Sequence, residues 1–267
     1  MDGAKSSLLA GMAIRLVPDK MQGEAGANYS KALAQGVFQR KLIKEENNMK
    51  KFRGVIFDLD GTLLDTLDDL ADAMNSVLQK HGFPIHAVAS YKLFIGHGLR
   101  NLVKNALPDT NRDDTTIDKC LEEMKKTYSQ HWANKTHIYE GIGELLDELS
   151  RMNIKLGVLS NKADNFTKLM VKHFLGKWHF EAVYGEREGM PRKPDPQGAI
   201  EISNIMRINP NEIIYVGDSG SDMLTAANAG MFGVGVLWGF RDKQELIENG
   251  AKATISHPLE IIALMLK

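Results

Sequence analysis

The chain has 267 residues, 43% hydrophobic and 25% charged, a balance ordinary for a folded globular protein that excludes wholesale disorder and a collagen-like repeat. At roughly 150 residues per domain the length suits one large domain or two modest ones, and 33 basic against 34 acidic residues leave a net charge of −1, so a globally basic nucleic-acid binder is not indicated. Cys120 is the one cysteine, which excludes an intrachain disulfide and a cysteine zinc cage, and no run reaches the roughly 18 apolar residues that span a bilayer.

In chain order, residues 1–50 stand apart. They carry eight Lys/Arg and five Asp/Glu, against 25 and 29 in the remainder. The apolar stretch Leu8–Val17 is broken by Arg15 and followed by Pro18, which makes a poor secretory signal, and the acids argue against a transit peptide. Residues 1–48 read as a mobile or loosely helical extension, with a docking arm as the alternative. Met49-Lys50-Lys51-Phe52 looks like a second natural start. The lack of an export or membrane-spanning signal implies the cytoplasm.

From Arg53 onward, short apolar runs alternate with helical patterns. Gly54–Asp58 is a run of β-formers ending in an acid, as expected of a parallel strand covered on both faces. Similar runs occur at Ile154–Leu159, Ile213–Gly217 and Gly233–Leu237, with a weaker one at Glu181–Tyr184. Between and after them, helical spacing predicts Ile142–Met152, Phe166–Phe174, Gln197–Met206, Ser221–Ala229, Lys243–Glu248 and Leu259–Leu266. Such alternation argues for an α/β fold with a parallel sheet. One interval departs from it. Leu67, Leu70, Ala71, Met74, Val77 and Leu78 mark an amphipathic helix over Thr66–His81, stopped near Gly82 and Pro84. Further helices are predicted over Ser90–Ile95, Leu99–Leu107 and Thr115–Asn134, with no convincing strand between Leu63 and Tyr139. The expected division is 1–48 as extension, 66–139 as an inserted helical domain, and 49–65 with 140–267 as the α/β core.

Ligands of open parallel sheets bind beyond the carboxyl ends of the strands. There this sequence places Asp58-Leu-Asp60-Gly-Thr62, Ser160-Asn161, a loop with Lys193-Pro-Asp-Pro196, and Gly217-Asp218 followed by Asp222. Clustered carboxylates repel, and burial raises the cost. A hard divalent cation such as Mg²⁺ relieves this, since it takes oxygen ligands and a phosphate oxygen. Acids, metal, hydroxyl and ammonium together suit phosphoryl transfer, where positioning and charge neutralisation dominate. Gly61 lets the chain turn after the strand, so Asp58 and Asp60 can approach one phosphorus from different angles. One then acts as nucleophile and the other as acid and base.

These four segments, in order and at suitable spacing over 52 to the C-terminus, resemble the motifs of the haloacid dehalogenase-like hydrolase superfamily. The helical insertion after the first motif resembles its first cap type, so the resemblance implies a Rossmann-like parallel sheet core with an inserted α-helical cap. Phe94-Ile-Gly-His97-Gly-Leu-Arg100 and Gly235-Val-Leu-Trp238-Gly-Phe240-Arg241 are similar to phosphoglycolate phosphatases. By that resemblance the substrate is a small phosphate monoester such as 2-phosphoglycolate, Asp58 is the nucleophile and Asp60 the acid/base. Mg²⁺ would sit on Asp58, the Asp60 carbonyl and Asp218, supported by Asp222, and phosphate on Ser160, Asn161 and Lys193. Arg100 is expected either to fork onto a substrate carboxylate or to lie on a solvated helix face, and His97 either to touch substrate or to be structural. Asp195 reads as a helix cap, Trp238 and Phe240 as packing, and Cys120 as buried. The expected partner is a small phosphorylated metabolite, without nucleic acid or membrane; monomer and homodimer both stay open. On the same scaffold an inorganic pyrophosphatase, a sugar phosphomutase or a non-catalytic regulatory protein remain alternatives.

Overall fold

The structure, a computed structural model, describes residues 52–266; the expectations for residues 1–48 lie outside them. Strand β1 (Gly54–Phe57) is buried along its whole length. Val55 and Phe57 face one layer and Ile56 the other, following the two-residue period of a strand. The chain then makes β2 (Leu64–Asp65) and the helices α1 (Leu67–Lys80), α2 (Tyr91–Phe94), α3 (Leu99–Ala106) and α4 (Asp114–His131). It returns through β3 (His137–Ile138), which pairs antiparallel with β2.

The rest alternates: α5 (Ile142–Arg151), β4 (Lys155–Ala163), α6 (Asp164–Phe174), β5 (Ala182–Glu186), α7 (Gln197–Met206), β6 (Ile213–Gly217), α8 (Gly220–Asn228), β7 (Phe232–Val236), α9 (Lys243–Glu248), β8 (Ala253–Ile255) and α10 (Glu260–Met265). The main sheet has the order β5-β4-β1-β6-β7-β8, with every pairing parallel. The chain leaves β1 toward β4 and β5, then comes back to build β6, β7 and β8 on the other side. The strand order therefore reverses at β1. That reversal opens a crevice at the carboxyl ends of β1, β4 and β6, where ligands of such sheets sit.

Two apolar layers hold the sheet. On one face Leu145, Leu146 and Leu149 of α5 pack with Val55, Phe57 and Val216. On the other, Ala199, Ile202 and Met206 of α7 pack with Ile56 and Tyr215. Each fully buried leucine contributes roughly 1.5–3 kcal/mol. The insertion has its own core, in which Leu70, Met74 and Leu78 of α1 meet Leu102 and Val103 of α3 and Cys120, Met124 and Tyr128 of α4. Phe240, from the loop after β7, joins this second core. At the base of the insertion, buried Asp69 accepts the Thr136 N–H and the Thr136 hydroxyl, both at 2.8 Å, which ties α1 to the returning chain.

Four elements differ from the sequence reading. β2 and β3 are two residues each, too short to show any period, and β8 is only three. Strand β4 runs to Ala163 rather than stopping at Leu159, with an irregular register between those residues. Ser160 and Asn161 thus lie inside the strand, where the irregularity lets polar residues replace the apolar pattern. Among the described residues no helix is long and apolar enough to cross a membrane.

Candidate active site

The site begins where β1 ends. The Asp58 N–H donates to the Val216 carbonyl at 2.9 Å, which locks the carboxyl end of β1 against β6. Gly61 then turns the chain with φ +82°. A side chain is excluded there twice over. Positive φ disfavours L residues, and a Cβ would stand 2.2 Å from Asp218 Oδ2. Gly239 is equally close, since its Cβ would come within 2.3 Å of the Asp218 Cβ. Glycines on two loops therefore let backbone crowd around one carboxylate.

Asp58, Asp218 and Asp222 each offer an oxygen, and these atoms lie within 4.8 Å of one another in a buried setting. Lys193 is the ammonium among them, with Nζ 2.8 Å from Asp58 Oδ1 and 2.7 Å from Asp222 Oδ1. The approach to Asp58 lacks the direction of a hydrogen bond, so Asp58 Oδ1 has a nearby charge but no aimed donor. Asp222 is better satisfied. Its Oδ2 accepts the Ser219 N–H at 3.1 Å and the Ser219 hydroxyl at 2.6 Å, so it caps α8 while holding Lys193. Asp218 accepts the Phe240 N–H at 2.7 Å and the Thr62 hydroxyl at 3.4 Å.

The electrostatics follow from burial. Loss of solvent pushes the Asp58 carboxyl up to about 7, opposed by Lys193 and reinforced by Asp222. Burial also raises Asp218 well above the usual carboxylate range, with Asp58 and Asp222 adding to it. For Lys193, burial works downward, but Asp222 and Asp58 outweigh it and the ammonium ends well above its ordinary value. Three buried carboxylates with one ammonium are under-compensated. The donor set is all oxygen, as a hard divalent cation requires, and Asp58 Oδ1 has no aimed donor. The residues present therefore fit such an ion.

Asp60 stands apart from that triad. Its Oδ1 accepts the Thr66 hydroxyl at 2.7 Å, and Lys162 Nζ reaches its two oxygens at 3.0 and 3.3 Å. Lys162 escaped the sequence reading. Its signal is faint: one more residue after Ser160-Asn161, past the apolar run that ends at Leu159. Burial alone would lower the Lys162 ammonium, but Asp60 and Tyr128 outweigh it and leave it raised.

Asn161 joins the remaining segments. Its Oδ1 accepts the Lys193 N–H at 2.9 Å, and its Nδ2 donates to the carbonyls of Gly96 at 3.0 Å and Lys193 at 3.2 Å. It thereby ties the lysine loop and the Gly96 loop of the insertion to β4. Arg241 Nη2 donates to the Ile95 carbonyl at 2.7 Å, a second tie to the same loop. Ser160 Oγ accepts the Lys162 N–H at 3.2 Å.

A cavity of about 810 Å³ opens over Asp58, Asp60, Ser160, Asn161, Lys193 and Asp218. Arg100 lines it from α3, with its guanidinium paired to Asp114 at 2.6 Å and to Asp118. His97 is exposed, and its carbonyl faces Arg192 Nη1 at 3.5 Å. Asp195 accepts the Gln197 N–H at 2.8 Å at the start of α7, while Trp238 donates to the Thr62 carbonyl at 3.1 Å. Cys120 is buried in the insertion.

Residues 55–236 match the haloacid dehalogenase-like hydrolases. The chain belongs to that family. Within it, the phosphoglycolate phosphatase of Psychrobacter arcticus is 31% identical over 200 residues, covering 72% of this chain and 86% of its own. The phosphoglycolate phosphatase of Chromobacterium violaceum is 28% identical over 221 residues, covering 82% and 98%. A crystal structure from Lactobacillus delbrueckii subsp. bulgaricus, of a candidate phosphoglycolate phosphatase, superposes with a TM-score of 0.76 at 30% identity over 81% of this chain and 99% of that one. The protein is thus a haloacid dehalogenase-like hydrolase of the phosphoglycolate phosphatase-like kind, a phosphatase whose acids line the carboxyl edge of a parallel sheet.

Proposed function

We propose that the protein hydrolyses a small phosphate monoester, 2-phosphoglycolate as first candidate, through a phosphorylated Asp58. The observation that carries this reading is Lys193 Nζ placed 2.8 Å from Asp58 and 2.7 Å from Asp222, bringing three distant segments to one point. The names of the relatives support the substrate class.

In this reading an Asp58 oxygen forms a bond to phosphorus as the bond to the ester oxygen breaks. Asp60 gives its proton to the departing alkoxide, then takes one from the water that attacks the phosphorylated Asp58, releasing inorganic phosphate and restoring the carboxylate. Lys193 and Ser160 bind the phosphoryl oxygens. Asn161, which holds both the Lys193 backbone and the Gly96 loop, shapes that pocket. Asp58, the Asp60 carbonyl and Asp218 would hold Mg²⁺, with Asp222 supporting them. The ion would neutralise charge spread over the transferring group. The helices between β2 and β3 act as a cap that excludes water and chooses the substrate. Arg100 stays a candidate in the cavity wall, where a substrate carboxylate must compete with Asp114 and Asp118 for it; His97 is exposed on the neighbouring loop and does not line the cavity.

A second reading, a bulkier phosphate ester, is favoured by the cavity. At about 810 Å³ it falls in the range of pockets for drug-sized ligands, roughly 300–1,000 Å³. Phosphate release should therefore be measured with Mg²⁺ over phosphorylated acids, sugars, nucleotides and pyrophosphate. Highest kcat/KM on 2-phosphoglycolate is the expected result. Preference for pyrophosphate, return of the phosphoryl group to a sugar, or no turnover at all would overturn it.

A further inference from the structure

Lys162 and Tyr128 form a contact that the chemistry above does not use. Lys162 belongs to β4 of the sheet, and its side chain is 9% exposed. On one side its ammonium holds both oxygens of Asp60, at 3.0 and 3.3 Å. On the other it lies 4.8 Å from the centre of the Tyr128 ring. Tyr128 comes from α4 of the insertion and is 2% exposed. Phe166 of α6 backs its ring, at 5.5 Å between centroids, and its hydroxyl points to Met170 Sδ at 3.8 Å.

A buried ammonium is costly unless charge and polar contacts compensate it. Here a carboxylate and an aromatic ring both contact it. The buried ring lies within 4.8 Å of the ammonium, so it limits where Lys162 Nζ can go. Thr66, just before α1, donates to the same Asp60 oxygen at 2.7 Å. The orientation of the Asp60 carboxylate is therefore set by one group from the sheet and one from the start of the insertion. Lys193 serves Asp58 and Asp222 instead, so the two lysines hold separate acids.

We propose that Lys162 is a positioning residue for Asp60, aiming its carboxyl group at the leaving oxygen to which it gives its proton, and that Tyr128 makes this aim depend on α4 being seated against the sheet. The proposal rests on the reading of Asp60 as acid and base. A correctly aimed acid matters most when the leaving group is strongly basic, and little when it departs unaided.

The test uses the full chain with Mg²⁺ and two esters of similar size, phenyl phosphate and p-nitrophenyl phosphate. Release of the phenol is followed in single turnover, so that hydrolysis of the phosphorylated enzyme does not enter. Lys162→Met is expected to slow phenyl phosphate by about 10- to 100-fold and p-nitrophenyl phosphate by less than about threefold, with half-saturating substrate nearly unchanged. Lys162→Arg should recover most of the loss, since it keeps a cation able to span both oxygens. Tyr128→Leu should move in the same direction as Lys162→Met, and Tyr128→Phe, which keeps the ring, should resemble the parent. Equal losses on both esters would overturn the proposal. A rise in half-saturating concentration at unchanged rate would also overturn it, by placing Lys162 on the substrate. Asp60→Asn separates the two ideas. If it leaves phenyl phosphate unaffected, the acid/base reading of Asp60 fails. If it abolishes that activity while Lys162→Met does not slow it, the reading stands and the positioning role falls.

Discussion

The carboxyl edge of the sheet and the helical insertion are built on opposite principles. The insertion is held by apolar packing among Leu70, Met74, Leu102, Val103 and Met124, and its only cysteine serves as one more small apolar side chain. The edge of the sheet buries Asp58, Asp218, Asp222 and Lys193 within a few ångströms of one another. Packing of the first kind stabilises without much demand on geometry, because area removed from water is what counts. The second kind costs stability unless each charge has its partner in place. The lesson is that this molecule concentrates its buried charge at the carboxyl edge of the sheet, and leaves the core of the insertion to ordinary burial.

The contrast can be broken most decisively at Asp58. Asp58→Asn is expected to cut phosphate release by about 10⁴-fold or more, as loss of a nucleophile does in other hydrolases. Urea unfolding of the same variant should show stability equal to the parent or higher, because one buried charge is gone. A variant that is both inactive and unfolded would mean the carboxylate is holding the fold. Next comes Lys193→Met, which leaves Asp58 and Asp222 facing each other without an ammonium; about 3–5 kcal/mol of stability should be lost. Met124→Ala, in the insertion, should cost a comparable or smaller amount, about 2–5 kcal/mol. It should keep most of its turnover of p-nitrophenyl phosphate per folded molecule. If it loses turnover as Lys193→Met does, the two regions are not separable in function.

The smallest expected effect concerns protons and metal. The Asp58 carboxyl is raised from 3.8 to about 7 by burial. Without a cation, the folded chain then keeps a proton that the unfolded chain releases near pH 4. That contribution to stability is complete below about pH 4 and is lost as pH rises through about 7. A divalent cation must displace the proton to bind. Thermal unfolding with and without Mg²⁺ should therefore show a gain that is larger at pH 8 than at pH 5. At a hundredfold excess over Kd the gain is about 2.7 kcal/mol. A gain that shrinks with rising pH would contradict the placement of the ion on Asp58.

Some of this was readable residue by residue. The run Gly54–Asp58 announced a strand ending in an acid, because a strand covered on both faces must be apolar throughout and its end is where polarity returns. The spacing of Leu67, Leu70, Met74 and Val77 announced α1 for the parallel reason on a helix. Lys162 was not readable. One lysine on a polar stretch is normally solvated, and its contact with Asp60 joins residues 102 positions apart. Asn161 was recognised but not its partners, since its hydrogen bonds go to backbone at Gly96 and Lys193, and backbone contacts leave no trace in residue type. The short strands β2, β3 and β8 have too few residues to express a period.

What the chain determined by itself was the alternation of elements and the identity of the acids, because periodicity and strand-end polarity are local properties. What only the tertiary structure decided was the pairing: Lys193 with Asp58 and Asp222, Lys162 with Asp60 and Tyr128, Phe240 with the core of the insertion. Those depend on the order in which parallel strands lie side by side. Asp58 and Asp222 are 164 positions apart in the chain and Leu70 and Phe240 are 170 apart, and such residues become neighbours only through the order of the strands in the sheet.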